Sequence, residues 1–255
     1  RLSAESVTTV AGQASWKLSS STVELSVTRT GGHMAPVVFA RESAQAVQPY
    51  YISPWQEEGL ELDVPVLAPL RGDFFCMPFG GSQAAFRGEQ HPPHGEVAGS
   101  EWTFVGRESA EGVHTLTLSR STQVRPGRVT KSLSLVDGQN VVYSQHVIEG
   151  FAGPTPLGHH ATLKVPDRPG SLKVQSSPFV FGMTNPTLFS NPEAREYQSL
   201  KIGHRFESLE SIPTLWAEGP PADATLYPAR TGFADLLAVF KQPGESPAWM
   251  TAINR

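Results

Sequence analysis

An all-β fold of many short antiparallel strands, closed as a sandwich or barrel, is what this chain predicts. Three observations point there. Wherever apolar residues recur regularly they do so every second position; glycine (23 residues) and proline (22 residues) punctuate the chain at short intervals; and no apolar stripe of helical spacing runs beyond about two turns. With 255 residues, 39% of them apolar and 17% charged, the chain can bury a sizeable core and is read as one domain over residues 1–255.

The elements follow in order. Thr22–Thr28 alternates Val23, Leu25 and Val27 with polar residues, the signature of a strand with one buried face, and Val113–Ser119 repeats it with Leu116 and Leu118. Further strands are expected at Pro36–Ala40, Glu101–Gly106, Ala161–Val165, Ser171–Gln175, Leu236–Phe240 and Ala248–Ile253. Arg128–Val136 and Val141–Ile148 flank Asp137-Gly138-Gln139-Asn140, and an Asp-Gly pair supplies the positive φ of a tight hairpin. Leu209–Ala229, rich in proline and acidic residues, reads as a long surface loop.

Composition excludes several functions. The formal net charge is −4 and the cations are scattered, so neither nucleic acid nor an anionic membrane has a basic stripe to meet, and a neutral ligand is favoured. No window supplies the roughly 20 apolar residues of a membrane helix. The single cysteine, Cys76, has no internal disulfide partner and lies between Phe75 and Met77 as a small buried hydrophobe. That usage fits the cytoplasm. The chain begins at Arg1 and shows no leader, which keeps a periplasmic or secreted home open. Hydrolase-elbow, P-loop and dinucleotide glycine patterns are missing from the sequence.

Ionisable residues concentrate between positions 71 and 96, where Arg71, Asp73, His91, His94 and Glu96 are interleaved with glycines and prolines. Such residues sit on loops and strand ends, where binding and catalysis usually reside. The order Arg71-Gly72, an apolar run, Pro78-Phe79-Gly80, His94-Gly95 and Trp102 resembles aldose 1-epimerases (mutarotases) and hexose-6-phosphate mutarotase-like proteins. A second block, Pro156-Leu157-Gly158-His159-His160-Ala161-Thr162-Leu163-Lys164-Val165, resembles the family strand in which the second residue of an Asn-His pair is catalytic.

The resemblance implies the large antiparallel β-sandwich of the galactose mutarotase-like fold, either whole or short of its C-terminal strands. It implies His160 and His94 as catalytic residues and Arg71 as a group that orients sugar hydroxyls. Asp73, Glu96 and Trp102 join Arg71 as candidate sugar-binding residues. No organic cofactor is required. Two departures stand out. Glu96 occupies the region where relatives carry a basic residue, which argues against a phosphorylated sugar, and no counterpart of the family's late glutamate base precedes Asn254-Arg255.

Mutarotation needs an acid at the ring oxygen and a base at the anomeric hydroxyl. A histidine with an ordinary pKa near 6.5 suits the acid role, and a nearby carboxylate would raise its protonated fraction. His159 and His160 are neighbours, so on a strand they face opposite sides and one only enters the cleft. The rival readings are a non-catalytic carbohydrate-binding protein and a cupin-like metal site built from His91, His94 and Glu96, with His160 able to complete the ligands.

Overall fold

The computed structural model describes residues 5–81, 84–194, 196–228, 235–244 and 246–255, and in it the period-two patterns become pleated antiparallel sheets. The sequence reading treats residues 1–255 as one domain; within it the chain gathers into two compact units, Arg1–Lys164 and Val165–Arg255. No helix of the described residues is long and apolar enough to cross a membrane.

The described residues of the first unit form ten strands. They are β1 (Thr8–Val10), β2 (Gln13–Ser19), β3 (Val23–Thr28), β4 (Met34–Phe39), β5 (Asp73–Cys76), β6 (Thr103–Ala110), β7 (Val113–Thr122), β8 (Gly127–Val136), β9 (Tyr143–Gly150) and β10 (Gly158–Ala161). Six of them form one sheet in the order β1-β2-β3-β4-β5-β10, and four form a second in the order β6-β7-β8-β9. A single helical turn, α1 (Glu96–Gly99), follows the loop after β5.

One core joins the two sheets. Trp16 and Leu18 of β2 and Val23, Leu25 and Val27 of β3 meet Leu116 and Leu118 of β7 and Val129, Leu133 and Leu135 of β8. In β8 the alternation is complete, every second residue from Val129 to Leu135 being buried. Burying each such side chain contributes about 1.5–3 kcal/mol, which is why alternation dictates the sheet's facing.

The connections refine the sequence reading. β8 and β9 are antiparallel neighbours as expected, but Asp137-Gly138 opens a longer connection, and Asp137 Oδ1 accepts the Ser21 backbone N–H at 2.8 Å. The tight turn lies two hairpins earlier, at Glu111 and Gly112, whose φ values of 51° and 75° suit a two-residue loop between β6 and β7. The strand expected at Ala161–Val165 is shifted: β10 covers Gly158–Ala161, and Leu163 makes only an isolated bridge to Tyr50.

The second unit holds β11 (Leu172–Ser176), β12 (Phe181–Thr184), β13 (Arg205–Phe206), β14 (Leu226–Tyr227), β15 (Leu237–Phe240) and β16 (Met250–Asn254). They form two three-stranded sheets, β14-β11-β16 and β13-β12-β15. The expected surface loop from Leu209 is more than a loop: Ile212 is fully buried with Leu200 and Phe206, and Leu226 and Tyr227 pair with β11. Ala229, where that loop was expected to end, lies outside the described residues.

Lys131 breaks the apolar pattern of β8. It points into the core, donates from Nζ to the Gly32 carbonyl at 2.7 Å and lies 5.3 Å from the Trp102 ring centroid. Burial lowers its pKa from 10.5 to about 8. Between these values the unfolded chain holds a proton that the folded chain has shed, so raising pH through that window stabilises the fold. Lys131→Met should lack this gain. The stability difference between wild type and variant, followed by urea unfolding from pH 8 to 10.5, should move in favour of wild type by about 3 kcal/mol.

Candidate functional site

The site grows from the pairing of β5 with β10. These antiparallel strands set Phe74 opposite His160 and Phe75 opposite His159. Because side chains alternate along a strand, the two histidines leave on opposite faces of the sheet, as the sequence requires.

On one face three rings stack across three neighbouring strands. His33, just before β4, lies 4.0 Å from Phe74 at 7° between planes, and Phe74 lies 4.9 Å from His160 at 11°. His33 is fully buried and satisfied: its Nε2–H donates to the Ala98 carbonyl at 2.8 Å, and its Nδ1 accepts the Arg71 backbone N–H at 3.4 Å. Burial pushes its pKa down to about 3, so this ring is a neutral support.

His94 completes the arrangement edge-on, with ring centroids 5.2 Å from His160, 5.9 Å from Phe74 and 5.5 Å from Phe79. The backbone explains the His-Gly pair. His94 has φ 62° and Gly95 φ 79°, and a Cβ on Gly95 would stand 2.0 Å from the Met77 carbonyl oxygen. Only glycine fits that approach. The His94 N–H then donates to Gly80 O at 2.6 Å, tying the loop down.

Both imidazoles have lowered pKa values. Burial is the main cause in each; His160 adds to it for His94, whereas the Asp73 charge opposes it for His160. Desolvation therefore outweighs the carboxylate that was expected to keep a histidine protonated, and both rings are neutral near pH 7. In each, Nδ1 is buried and has no hydrogen-bond partner among the described residues.

The other expected residues are placed elsewhere. Arg71 is fully buried. Its guanidinium donates to Pro69 O at 3.2 Å, Val10 O at 2.9 Å, Ala11 O at 2.8 Å and Gln56 Oε1 at 2.6 Å. Gly72, with φ 46°, turns the chain between Arg71 and Asp73, so the two do not share a face. The arginine that was expected to orient sugar hydroxyls clamps loops instead. Trp102, expected against a sugar, is 2% exposed, gives its indole N–H to Val97 O and lies in the sandwich core. Glu96 Oε2 accepts the backbone N–H groups of Gln123 and Val124 at 2.9 and 3.1 Å, capping the turn between β7 and β8.

Asp73 lies on the opposite face from His160, where its Oδ1 accepts from His159 Nδ1 at 2.8 Å. Beyond this pair Phe75 stacks on His146 of β9 at 4.0 Å and 15°. Burial lowers the His146 pKa to about 2, with Lys131 and His159 adding charge repulsion. Cys76 is buried beside Phe74, its thiol pushed up to about 12, as suits an inert hydrophobe.

The three residues of the cupin-like reading diverge. His91 donates to Glu89 at 3.0 Å, His94 packs on His160, and Glu96 caps a turn. Among the described residues no group of three or more histidine, cysteine or acidic side chains is arranged to hold a metal.

His33, Phe74, Phe79 and Glu89 were not singled out in the sequence. Phe74 carries no periodic signal, because Phe74, Phe75 and Cys76 form an unbroken apolar run. His33 carries no sequence signal.

Comparison with solved structures gives two matches of fold. A proposed mutarotase, YeaD, of Salmonella typhimurium superposes with a TM-score of 0.53 at 15% identity, over 70% of this chain and 57% of that one. A galactose mutarotase-like protein of Clostridium acetobutylicum superposes with a TM-score of 0.54 at 11% identity, over 71% and 60%. This chain thus spans less than two thirds of the length of either. No protein-family model and no curated protein matches it. The fold is of the galactose mutarotase-like class.

Two outcomes test this description. Arg71→Met should leave the carbonyls of Val10 and Ala11 and Gln56 Oε1 without their donor and lower the unfolding free energy by about 3 kcal/mol or more in urea titration. Acidification should act through the buried histidines. Below 6.5 the unfolded chain takes up protons that folded His33 and His146 refuse until about 3 and about 2, so stability should fall with pH across that window. His146→Phe should shallow the fall by about 1.4 kcal/mol per pH unit.

Proposed function

We propose that the first unit binds a neutral aldose against the Nε2 edges of His94 and His160 and interconverts its anomers. The observation that carries this reading is the meeting of these two imidazoles, 5.2 Å apart, from a loop and a strand distant in sequence. The likeness of fold to mutarotase-type proteins supports it.

In the singly protonated pair His160, whose protonated form the Asp73 charge favours, donates from Nε2–H to the ring oxygen and becomes neutral, while neutral His94 Nε2 takes the proton from the anomeric hydroxyl and becomes the imidazolium. The C1–O5 bond breaks, the aldehyde turns about C1–C2, and closure on the other face returns both protons. Among the described residues no carboxylate hydrogen-bonds to either ring; Asp73 acts on His160 by its charge alone. This reading puts His94 in the role of the base. The same lack favours, as a second reading, a protein that binds the sugar without turning it over.

Saturation-transfer NMR of α-to-β exchange in glucose and galactose tests the proposal. Wild type should accelerate exchange, and His160→Asn and His94→Asn should each cost about a hundredfold or more. A folded wild-type protein that binds sugar without acceleration would establish the binding reading. Unchanged rates in both variants would remove the pair from the mechanism.

A further inference from the structure

Beside His94 lies a pocket of about 270 Å³ walled by Phe79, Phe86, Glu89, His91, Arg125 and a set of prolines. We propose that it seats a second pyranose ring, so that the preferred ligand is a reducing disaccharide or oligosaccharide end instead of a free hexose. This rests on the sugar reading of His94 and His160.

Continuity is the first argument. Phe79 belongs to both places: its ring packs edge-on against His94 and walls the pocket. Its backbone N–H donates to Pro156 O at 2.8 Å, and its ring lies over Gly158 of β10, where a Cβ would come within 2.6 Å. A ligand whose first ring meets His94 therefore directs its second past Phe79.

Construction is the second. Arg125 donates to Glu89 from Nη2 at 2.7 Å and from Nε at 3.0 Å, and reaches Thr155 from Nη1. One guanidinium thus latches the loop after β5, the β7–β8 turn and the segment before β10. These side chains are only 21% and 27% exposed, so the pocket is held open by a fixed frame.

Its chemistry names the ligand. Glu89 neutralises Arg125, the arginine of the lining, which weakens its attraction for an anion; Arg87 lies outside the lining, with its guanidinium 5.2 Å from the Phe86 ring centroid. Phe79 and Phe86 are 43% and 69% exposed; the Arg87 guanidinium lies over one face of Phe86, and the remaining exposed aromatic surface suits the C–H face of a pyranose. Among the described residues Glu89 Oε1 accepts from Arg125 Nε, whereas Oε2 accepts from both Arg125 and His91. A carboxylate oxygen has room for a further donor, and a sugar hydroxyl provides it.

Calorimetric titration of the protein with glucose, galactose, maltose, cellobiose and lactose, together with NMR anomer exchange of the same sugars, tests the proposal. At least one disaccharide should bind about tenfold or more tightly than either hexose. Phe86→Ala, at an exposed position, should bring that ratio to near one, and Phe86→Trp should restore it. Hexoses and disaccharides binding equally well, or Phe86→Ala weakening both alike, would overturn the second-ring pocket while leaving the His94–His160 reading intact. If no sugar binds or exchanges, that reading itself fails and the pocket's assignment falls with it.

Discussion

The register of β5 against β10 is the constraint on which the rest depends. Opposing Phe74 to His160 and Phe75 to His159 assigns every ring nearby to one face or the other. A slip of one residue would exchange the faces: His160 would join Asp73 and His159 would enter the stack with His33. Backbone bonds outside the ladder hold the register. Tyr51 N–H donates to Thr162 O, Thr162 N–H to Gly72 O and Gly72 N–H to Tyr51 O, all at 2.8–2.9 Å. Phe79 resting on Gly158 closes the other end.

From that register follows an unusual interior. Polar rings and cations lie where an ordinary sandwich places aliphatic side chains, and each is accommodated differently. Arg71 is surrounded by carbonyl oxygens, Lys131 has one carbonyl and an aromatic face, and His33 has partners at both nitrogens. His146, His160 and His94 each keep a buried nitrogen without a partner. An unsatisfied buried polar atom costs stability. His94 and His160, with ring centroids 5.2 Å apart, both bear that cost, and tolerance of it fits the site proposed for them.

Legibility in the sequence followed burial. Strands with one face in the core, β3, β7 and β8, announced themselves by alternation. β5 did not, because Phe74, Phe75 and Cys76 are all buried and a strand covered on both faces has no period to read. β10 was expected too late in the chain because the apolar run after Ala161 looked more strand-like than two histidines. Its pairing with β5 gives those histidines aromatic neighbours and so reverses the local preference. Motif resemblance located His94 and His160 by position, and the fold brought them together. The same motif offered Arg71 and Trp102 equally, yet their neighbours draw both into the interior.

By itself the sequence determined the class of fold, the facing of the regular strands and the separation of His159 from His160, because each is a consequence of local period and backbone geometry. Only the tertiary structure decided partners. Whether an arginine meets a sugar or a ring of carbonyls, whether a carboxylate assists His160 or holds His159, and whether histidines are charged or neutral depend on desolvation and on segments distant in the chain. Local sequence specifies which groups are available; packing specifies which of them water, and therefore a ligand, can reach.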